Sequence, residues 1–321
     1  RGEPMRNYLI MLLLIFFLIF SLPVAIVSCS RREPERDEPG DKLYLNVYDY
    51  SKNQMITMEL EEYIEGVVAA EMPASFHIEA LKAQALAART YTLLRMTSFG
   101  GKGCTANPGA DICTDSAHCQ AYIDPRSLGK DYKKIHEAVS STKGEVIVYE
   151  DKLIDAVFHS TSGGITENSE NVWANKVPYL RSVLSEYEEH SPKLVSIQEI
   201  SIDHFLSGIM SLDNTVKLDK KNIESEIEIL ERSDSGRVLK MRVGNRYFSG
   251  RDIREQFGLN STNFTMEFGN NKIIFTVVGY GHGIGMSQYG ADGMAKRGAT
   301  YVEIIKHYYT GVDIVSVESL Q

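Results

Sequence analysis

The chain has 321 residues, enough for one large domain or two of medium size with a substantial core. Hydrophobic residues make up 43% of the sequence and charged residues 24%, as in ordinary globular proteins. The formal net charge of −9 provides no basic stripe to neutralise phosphates, which argues against a nucleic-acid partner.

Residues 8–28 form an uncharged, apolar segment that is long enough to cross a bilayer as a helix. We predict an uncleaved N-terminal membrane anchor here. A cleaved signal peptide and a lipoprotein-type cleavage box that ends at Cys29 are alternatives. Residues 29–40 are mostly charged or polar and contain two prolines, which predicts a linker and places the folded region at 41–321.

The pattern of apolar residues predicts an α+β fold, since strands and helices are mixed without a regular βαβ rhythm. We expect one large mixed domain with a substrate groove, in which the acidic and less patterned residues 185–235 could form an inserted lobe. Strands are predicted over 42–50, 55–60, 145–149, 153–158, 237–243 and 273–278, and helices over 61–70, 78–97, 131–141, 290–296 and 301–309.

Glu71 is the first candidate catalytic residue, because it lies in the apolar context VVAAEMP. A carboxyl group among apolar neighbours loses hydration, which raises its pKa toward that of a useful general acid. A glutamate exposed at a helix end is the alternative. Lys82 and Arg89 lie two turns apart on one face of the next helix, where they could bind a ligand, form a solvated basic face or pair with Glu71 or Glu79.

The segment FHSTSGG follows a predicted strand and brings His159, Ser160 and Thr161 together at its end. One imidazole and several hydroxyl groups suit the binding of sugar hydroxyls or the orientation of an acid. Adjacent residues of a strand point to opposite faces, so His159 is poorly placed to deprotonate Ser160 as a nucleophile. A hydroxyl-rich turn with a hydrogen-bonded histidine is the alternative.

The segment GYGHGIGMSQYG begins at Gly279 and has glycine at every second position over its first half. It matches neither a dinucleotide fingerprint nor a P-loop. Glycines allow close approach of the backbone to a ligand, so this segment could form a groove wall that exposes His282 and Gln288. A bulged strand end that packs on the core is the alternative.

Cys104, Cys113, His118 and Cys119 fall within sixteen residues of a loop that has no apolar core of its own. These residue types favour a tetrahedral structural zinc site, in which four protein ligands leave no position for a catalytic water. A disulfide is the alternative, although it would leave one of the three thiols unpaired.

Taken together, these segments resemble the SpoIID (stage II sporulation protein D) family, whose domain is shared with the amidase-enhancer LytB proteins. The resemblance rests on EGVVAAEMPASFHIEALKAQALAARTY, HSTSGG and GYGHGIGMSQYGA, in that order, and on IIKHYYTG near the C-terminus. It covers nearly all of the chain from Asp41 onward.

The resemblance implies a lytic transglycosylase that cleaves peptidoglycan strands whose peptide stems an amidase has removed. It implies action during forespore engulfment, with the amidase SpoIIP and the membrane protein SpoIIM as partners. The folded domain would then lie outside the cytoplasm, between the mother-cell and forespore membranes.

The resemblance also assigns roles to residues. Glu71 would be the essential acid, and Cys113, His118 and Cys119 would bind the zinc of some family members, with Cys104 a less regular ligand. The residues that it and the motifs place in substrate binding are Lys82, Arg89, His159, Ser160, Thr161, His282, Gln288 and Tyr308, with Tyr309 as the alternative to Tyr308.

Glycoside hydrolysis normally uses two carboxylates, whereas these motifs supply one. A lytic transglycosylase can work with one acid, since the C6 hydroxyl of the substrate is the nucleophile. Two alternatives remain: a non-catalytic glycan-binding activator of an amidase, and a zinc hydrolase that uses the cysteine cluster.

Overall fold

The computed structural model describes residues 42–320. The predicted anchor at 8–28 and linker at 29–40 lie outside the described residues. Among the helices of residues 42–320, none is both long enough and apolar enough to traverse a lipid bilayer.

The predicted α+β class is confirmed for the described chain. The α-helices within residues 42–320 are α1 Leu60–Glu71, α2 Ile78–Arg95, α3 Tyr132–Ser140, α4 Ile202–Leu212, α5 Ile223–Glu226, α6 Gly250–Phe257, α7 Gln288–Ala295 and α8 Tyr301–Tyr308. The strands are β1 Tyr44–Asp49, β2 Gln54–Glu59, β3 Ile112–Cys113, β4 Glu145–Tyr149, β5 Lys152–Leu153, β6 Phe158–His159, β7 Gly164–Ile165, β8 Leu184–Ser185, β9 Val195–Ser201, β10 Ile227–Arg232, β11 Val238–Val243, β12 Arg246–Phe248, β13 Phe264–Gly269, β14 Lys272–Val278, β15 Met286–Ser287 and β16 Asp313–Ser316.

Helix α2 is the centre of the main core. It is buried along most of its length, and α1, α3, α7 and α8 all pack against it. Its alanines at 83, 85, 87 and 88 are fully buried, and such small side chains let these neighbours approach closely. The predicted helix over 78–97 is confirmed, and it ends at Arg95 because Met96 adopts an extended backbone.

Strands form several small sheets around this core, with orders β2-β1-β3, β16-β4-β5, β7-β8 and β15-β6. The predicted continuous strand over 153–158 is wrong. A tight turn, in which the Val157 N–H donates to the Asp155 carbonyl oxygen at 2.9 Å, separates β5 from β6. Strand β6 then pairs in parallel with β15, which joins the two glycine-containing motifs.

Residues of the segment between Val195 and Val278 have a hydrophobic core of their own. Sheets β13-β14-β9 and β10-β11-β12 enclose α4 and α6, and Phe205, Phe257 and Phe275 stack between them. The lobe predicted at 185–235 overlaps the first part of this segment, and its role stays a prediction.

Candidate active site

Glu71 is the last residue of α1, where the chain turns into an extended Met72 followed by Pro73. Both carboxylate oxygens accept hydrogen bonds. The Ala121 N–H donates to Oε1 at 3.0 Å, and the Gln288 side-chain amide donates to Oε2 at 3.2 Å. Burial raises the pKa of Glu71 above its usual value of 4.5, and the two hydrogen bonds offset this only in part. The carboxyl group therefore has the environment of a general acid.

Glu71 borders a cavity of about 840 Å³ that brings together segments distant in sequence. Residues from both glycine-containing motifs line it, and so do members of the cysteine and histidine cluster. Its lining includes Glu71, Tyr91, Arg95, His118, Cys119, Asp155, His159, Ser160, Trp173, Arg254, Tyr280, His282 and Gln288. Most of these groups are polar or aromatic, which suits a ligand rich in hydroxyl and amide groups.

His159 and Ser160 line this cavity, whereas Thr161 does not. The His159 Nδ1 lies 3.0 Å from the carbonyl oxygen of Ile284, and its Nε2 lies 2.8 Å from the Ser162 Oγ. Burial holds the pKa of His159 well below 6.5, so the ring is neutral, donates from Nδ1 and accepts at Nε2. Thr161 is buried, and its Oγ1 lies 2.7 Å from the Ser191 Oγ.

His282 and Gln288 also line the cavity, although Gln288 is buried rather than exposed as the glycine-rich motif predicts. The His282 Nδ1 accepts from the Ile284 N–H at 3.0 Å, and its ring lies 5.6 Å from that of Trp173. Burial and the nearby Arg254 and Arg237 lower the pKa of His282 to about 4. His282 is thus a neutral group at ordinary pH.

Three residues that the resemblance assigns to substrate binding do not line the cavity. Lys82 pairs with Glu79 at 2.8 Å. Arg89 is 0% exposed, and its guanidinium is bound by both carboxylate oxygens of Glu61 and by backbone carbonyls. Tyr308 is equally buried. The protein encloses the polar groups of Arg89 and Tyr308 that would have to reach a ligand, and their role in substrate binding stays a prediction.

The Tyr308 hydroxyl lies 2.8 Å from the Ser185 Oγ, beneath Gly290 of α7. A Cβ atom on Gly290 would lie 2.0 Å from this hydroxyl oxygen, so only glycine fits there. Tyr309 is also buried and donates to the Val157 carbonyl oxygen at 2.8 Å. Neither tyrosine lines the cavity, and the hydroxyl of each is bound within the protein.

Sequence reasoning missed a second carboxylate in the cavity, that of Asp155. Its Oδ1 accepts from both terminal nitrogens of Arg95 at 3.1 Å, and the Arg95 guanidinium stacks on the Tyr91 ring at 3.2 Å from the centroid. Asp155 lies in the turn between β5 and β6. The sequence does not single it out as a site residue, because residues 153–158 are predicted to form one continuous strand. The motifs supply one candidate catalytic carboxylate, Glu71, as expected, but the cavity is lined by two carboxylates, Glu71 and Asp155.

A buried carboxylate, Glu188, holds the two glycine-containing motifs together. It accepts from the backbone N–H groups of residues 162, 163 and 164, and from the hydroxyls of Ser185 and Ser287. Five donors on one carboxylate fix the loop and β15 in register. Nothing in the local sequence signals this role, since Glu188 lies in an unpatterned acidic segment.

Cys104, Cys113, His118 and Cys119 form a cluster whose ligand atoms all lie within 4.8 Å of one another. The His118 Nδ1 is 3.5 Å from the Cys104 and Cys113 sulfurs and 3.2 Å from that of Cys119. Zinc–sulfur and zinc–nitrogen bonds of 2.3 and 2.0 Å in a tetrahedron separate ligand atoms by roughly 3.5 Å, so this donor set fits. All three cysteines are free thiols, and the predicted cluster could hold a metal ion.

The cluster is connected to the acid through its own loop. Cys119 lies two residues before Ala121, whose N–H binds Glu71. The Thr105 hydroxyl lies 3.0 Å from the other ring nitrogen of His118, as an orienting group of a metal-bound histidine does. A bound ion would therefore stabilise the segment that supplies one of the two donors to Glu71.

The chain that forms this mixed fold, with its partly buried acid and polar cavity, is similar in sequence to proteins of sporulation. Residues 48–149 match the family described as SpoIID, stage II sporulation protein. Stage II sporulation protein D of Bacillus amyloliquefaciens is 38% identical over 299 residues, which cover 90% of this chain and 84% of the relative.

Stage II sporulation protein D of Bacillus subtilis (strain 168) is 38% identical over 281 residues, which cover 85% of this chain and 79% of the relative. The chain therefore belongs to the stage II sporulation protein D family. It is also 29% identical over 303 residues to a protein of Bacillus subtilis named amidase enhancer, covering 79% of this chain and 40% of that protein.

Proposed function

We propose that this protein is a lytic transglycosylase that cleaves the bond between N-acetylmuramic acid and N-acetylglucosamine in stem-free peptidoglycan strands. The observation that carries the proposal is Glu71, a carboxyl group with a raised pKa at the edge of a polar cavity of about 840 Å³. Its protonated form persists to a higher pH than that of an ordinary glutamate, which a general acid requires.

In the proposed reaction Glu71 first protonates the glycosidic oxygen, and the bond to C1 of N-acetylmuramic acid breaks. The carboxylate so formed is stabilised by the Ala121 N–H and the Gln288 amide, which already donate to it. It then removes the proton of the C6 hydroxyl, whose oxygen closes on C1 to form a 1,6-anhydro ring. Glu71 ends protonated, as it began, and no water is consumed.

Asp155 makes hydrolysis the competing outcome, since two carboxylates flank the same cavity. We favour the anhydro product because both terminal nitrogens of the Arg95 guanidinium bind Oδ1 of Asp155, so this carboxylate is already engaged by the protein. Asp155 is then a positioning residue for the cavity wall rather than a base that activates water.

We further propose that the cysteine and histidine cluster binds a structural zinc ion. Cys104, Cys113, His118 and Cys119 would supply all four ligands. When bound, zinc would stabilise the loop without chemistry of its own, because no ligand position is left for water.

We place the folded domain outside the cytoplasm, between the mother-cell and forespore membranes, with residues 8–28 as its membrane anchor. Its proposed partners are SpoIIP and SpoIIM. Support comes from membership of a sporulation family. The relative named amidase enhancer favours a second candidate, a glycan-binding activator of an amidase without catalysis of its own.

The test is mass spectrometry of stem-free glycan strands after incubation with residues 30–321, in the wild type and in Glu71→Gln. Anhydro-muramic ends from the wild type, reduced about 100- to 10,000-fold in the variant, would support the proposal. Reducing ends would mean hydrolysis, with Asp155→Asn as the next variant. Binding without cleavage by either protein, together with stimulation of an amidase, would favour the activator.

A further inference from the structure

The cavity at Glu71 continues into a second one of about 330 Å³. Ala117, Trp173, Arg254 and His282 line both. The smaller cavity lies between residues 167–173 of the main domain and α6 of the segment with its own core. The two spaces therefore adjoin, and together they form one groove that begins at Glu71 and includes the smaller cavity.

Trp173 supplies a flat, partly exposed aromatic wall where the two cavities meet. Indole rings offer the apolar face on which the C–H groups of a sugar ring pack. This tryptophan is also the single one in the chain, so its fluorescence reports on this place alone.

Arg254, from α6, is the cation at the junction. Within residues 42–320 its guanidinium makes one hydrogen bond, from Nε to the carbonyl oxygen of Leu259 at 3.3 Å, and no carboxylate forms a salt bridge with it. The other arginines of the groove are engaged: Arg95 by Asp155, Arg251 by Glu255, and Arg237 by carbonyls and Ser235. Arg254 is partly buried, and burial lowers its pKa, which marks a guanidinium short of both water and a counter-ion.

A guanidinium with two free terminal nitrogens matches a carboxylate, which it binds through two parallel hydrogen bonds. Removal of a peptide stem breaks the amide bond at the lactyl group of N-acetylmuramic acid. A neutral amide is then replaced by a carboxylate. Since the chain as a whole carries a net charge of −9, an anionic strand needs such a local cation.

We propose that Arg254 binds the lactyl carboxylate of stem-free N-acetylmuramic acid and thereby selects strands whose stems have been removed. This inference rests on the glycan substrate of the proposed function. It assigns the choice of substrate to the smaller cavity and the bond cleavage to Glu71.

The test measures binding by the fluorescence of Trp173, with the full chain carrying Glu71→Gln so that no strand is cut. Three ligands of equal length are titrated: a stem-free strand, the same strand with its lactyl groups converted to carboxamides, and an N-acetylglucosamine oligomer. We expect the carboxylate strand to bind more tightly than the carboxamide strand, on the order of 10- to 100-fold.

Adding Arg254→Gln should bring the ratio of the affinities for the carboxylate strand and the carboxamide strand close to one. The affinities for the carboxamide strand and for the N-acetylglucosamine oligomer should not change. Arg254→Lys should give an intermediate ratio, because an ammonium keeps the charge but not the paired hydrogen bonds. Arg242→Gln is the matched control, since Arg242 lies on the same segment outside the groove and pairs with Glu228. It should leave the ratio unchanged, and thermal melting checks that each variant is folded.

A ratio that survives both Arg254 variants would overturn the proposal, and so would a ratio near one before any change at Arg254. An equal loss with Arg242→Gln would also overturn it, by showing an effect of net charge. Cleavage is assayed separately with Glu71 restored. If the wild type produces anhydro ends but the Arg254 variants keep the preference for the carboxylate strand, only this inference is refuted. If the preference depends on Arg254 but no strand is cleaved, only the proposed transglycosylase activity is refuted.

Discussion

Two glutamates of this protein, Glu71 and Glu188, show how surroundings decide what a carboxyl group does. Glu71 borders a cavity, accepts two hydrogen bonds and has a raised pKa. Glu188 is buried and accepts five, three of them from consecutive backbone N–H groups. Glu71 has few donors and keeps its proton more readily because burial outweighs them. The five donors on Glu188 instead tie its side chain to the backbone and to β15. The first region suits proton transfer, and the second suits support.

The largest expected difference is in the free energy of unfolding, between a glutamine substitution at Glu188 and the same substitution at Glu71. Glu188→Gln replaces one acceptor oxygen by an NH₂ group, which leaves either the Ser162 N–H or the N–H groups of Gly163 and Gly164 without an acceptor. At about 1–3 kcal/mol for each unpaired N–H, we expect a loss of roughly 1–6 kcal/mol in the free energy of unfolding. Glu71→Gln should cost far less. Urea denaturation of both variants checks this, and equal losses would break the comparison.

A second effect acts on Glu71 through the loop that provides Ala121. Thr105→Val removes the hydroxyl that lies against the His118 Nε2 without a large change in volume. We expect zinc affinity to fall about 10- to 100-fold, as for other orienting partners of metal ligands. Competition with a chromogenic chelator measures this. Thr97→Val, which alters a hydroxyl bound to Asp111 instead, is the control and should leave the affinity unchanged.

The third effect is a pH dependence that Glu71 alone should give. Its pKa in the folded state is above the usual 4.5, so the folded protein binds the proton more tightly than the unfolded chain. The stability that this provides is fully present below pH 4.5 and is lost as pH rises through the folded pKa. Glu71→Gln does not titrate, so its stability relative to the wild type should increase across that window. A constant difference from pH 4 to pH 8 would contradict the raised pKa.

The smallest effect should follow from Lys82→Gln. Lys82 pairs with Glu79 near the surface, and such pairs contribute about 0–1 kcal/mol. Glycan cleavage should be unchanged, because Lys82 does not line the cavity. A large drop in glycan cleavage with an unaltered melting temperature would instead restore the substrate-binding role that the resemblance implied.

The sequence predicted the position of Glu71 and the direction of its pKa shift, because both depend on near neighbours in the chain. It also predicted the cysteine and histidine cluster, whose members lie within one loop. The seven-residue spacing of Lys82 and Arg89 correctly implied a shared helix, but not what each would meet. Glu61, which binds Arg89, lies 28 residues away, and no periodicity reveals such a partner.

Contacts between residues that are far apart in the sequence could not be predicted either, because local patterns do not reveal such partners. Asp155 entered the cavity because a turn interrupts a predicted strand. Trp173 and Arg254 line the same groove, although Arg254 lies on α6, in the segment with its own hydrophobic core, and Trp173 lies outside that segment. These placements follow from tertiary packing, which local patterns do not encode.

The hydrogen bond between Gln288 and Glu71 also has a consequence for the order of synthesis. It joins residues 217 positions apart, and β6 likewise waits for β15 as its pairing partner. A ribosome synthesises Glu71 and Ala121 early and Gln288 late, so a nascent chain that stops before Met286 has Glu71 without its second donor and without this strand pair. The site is completed only after most of the chain has been translated, which ties completion of the site to completion of folding.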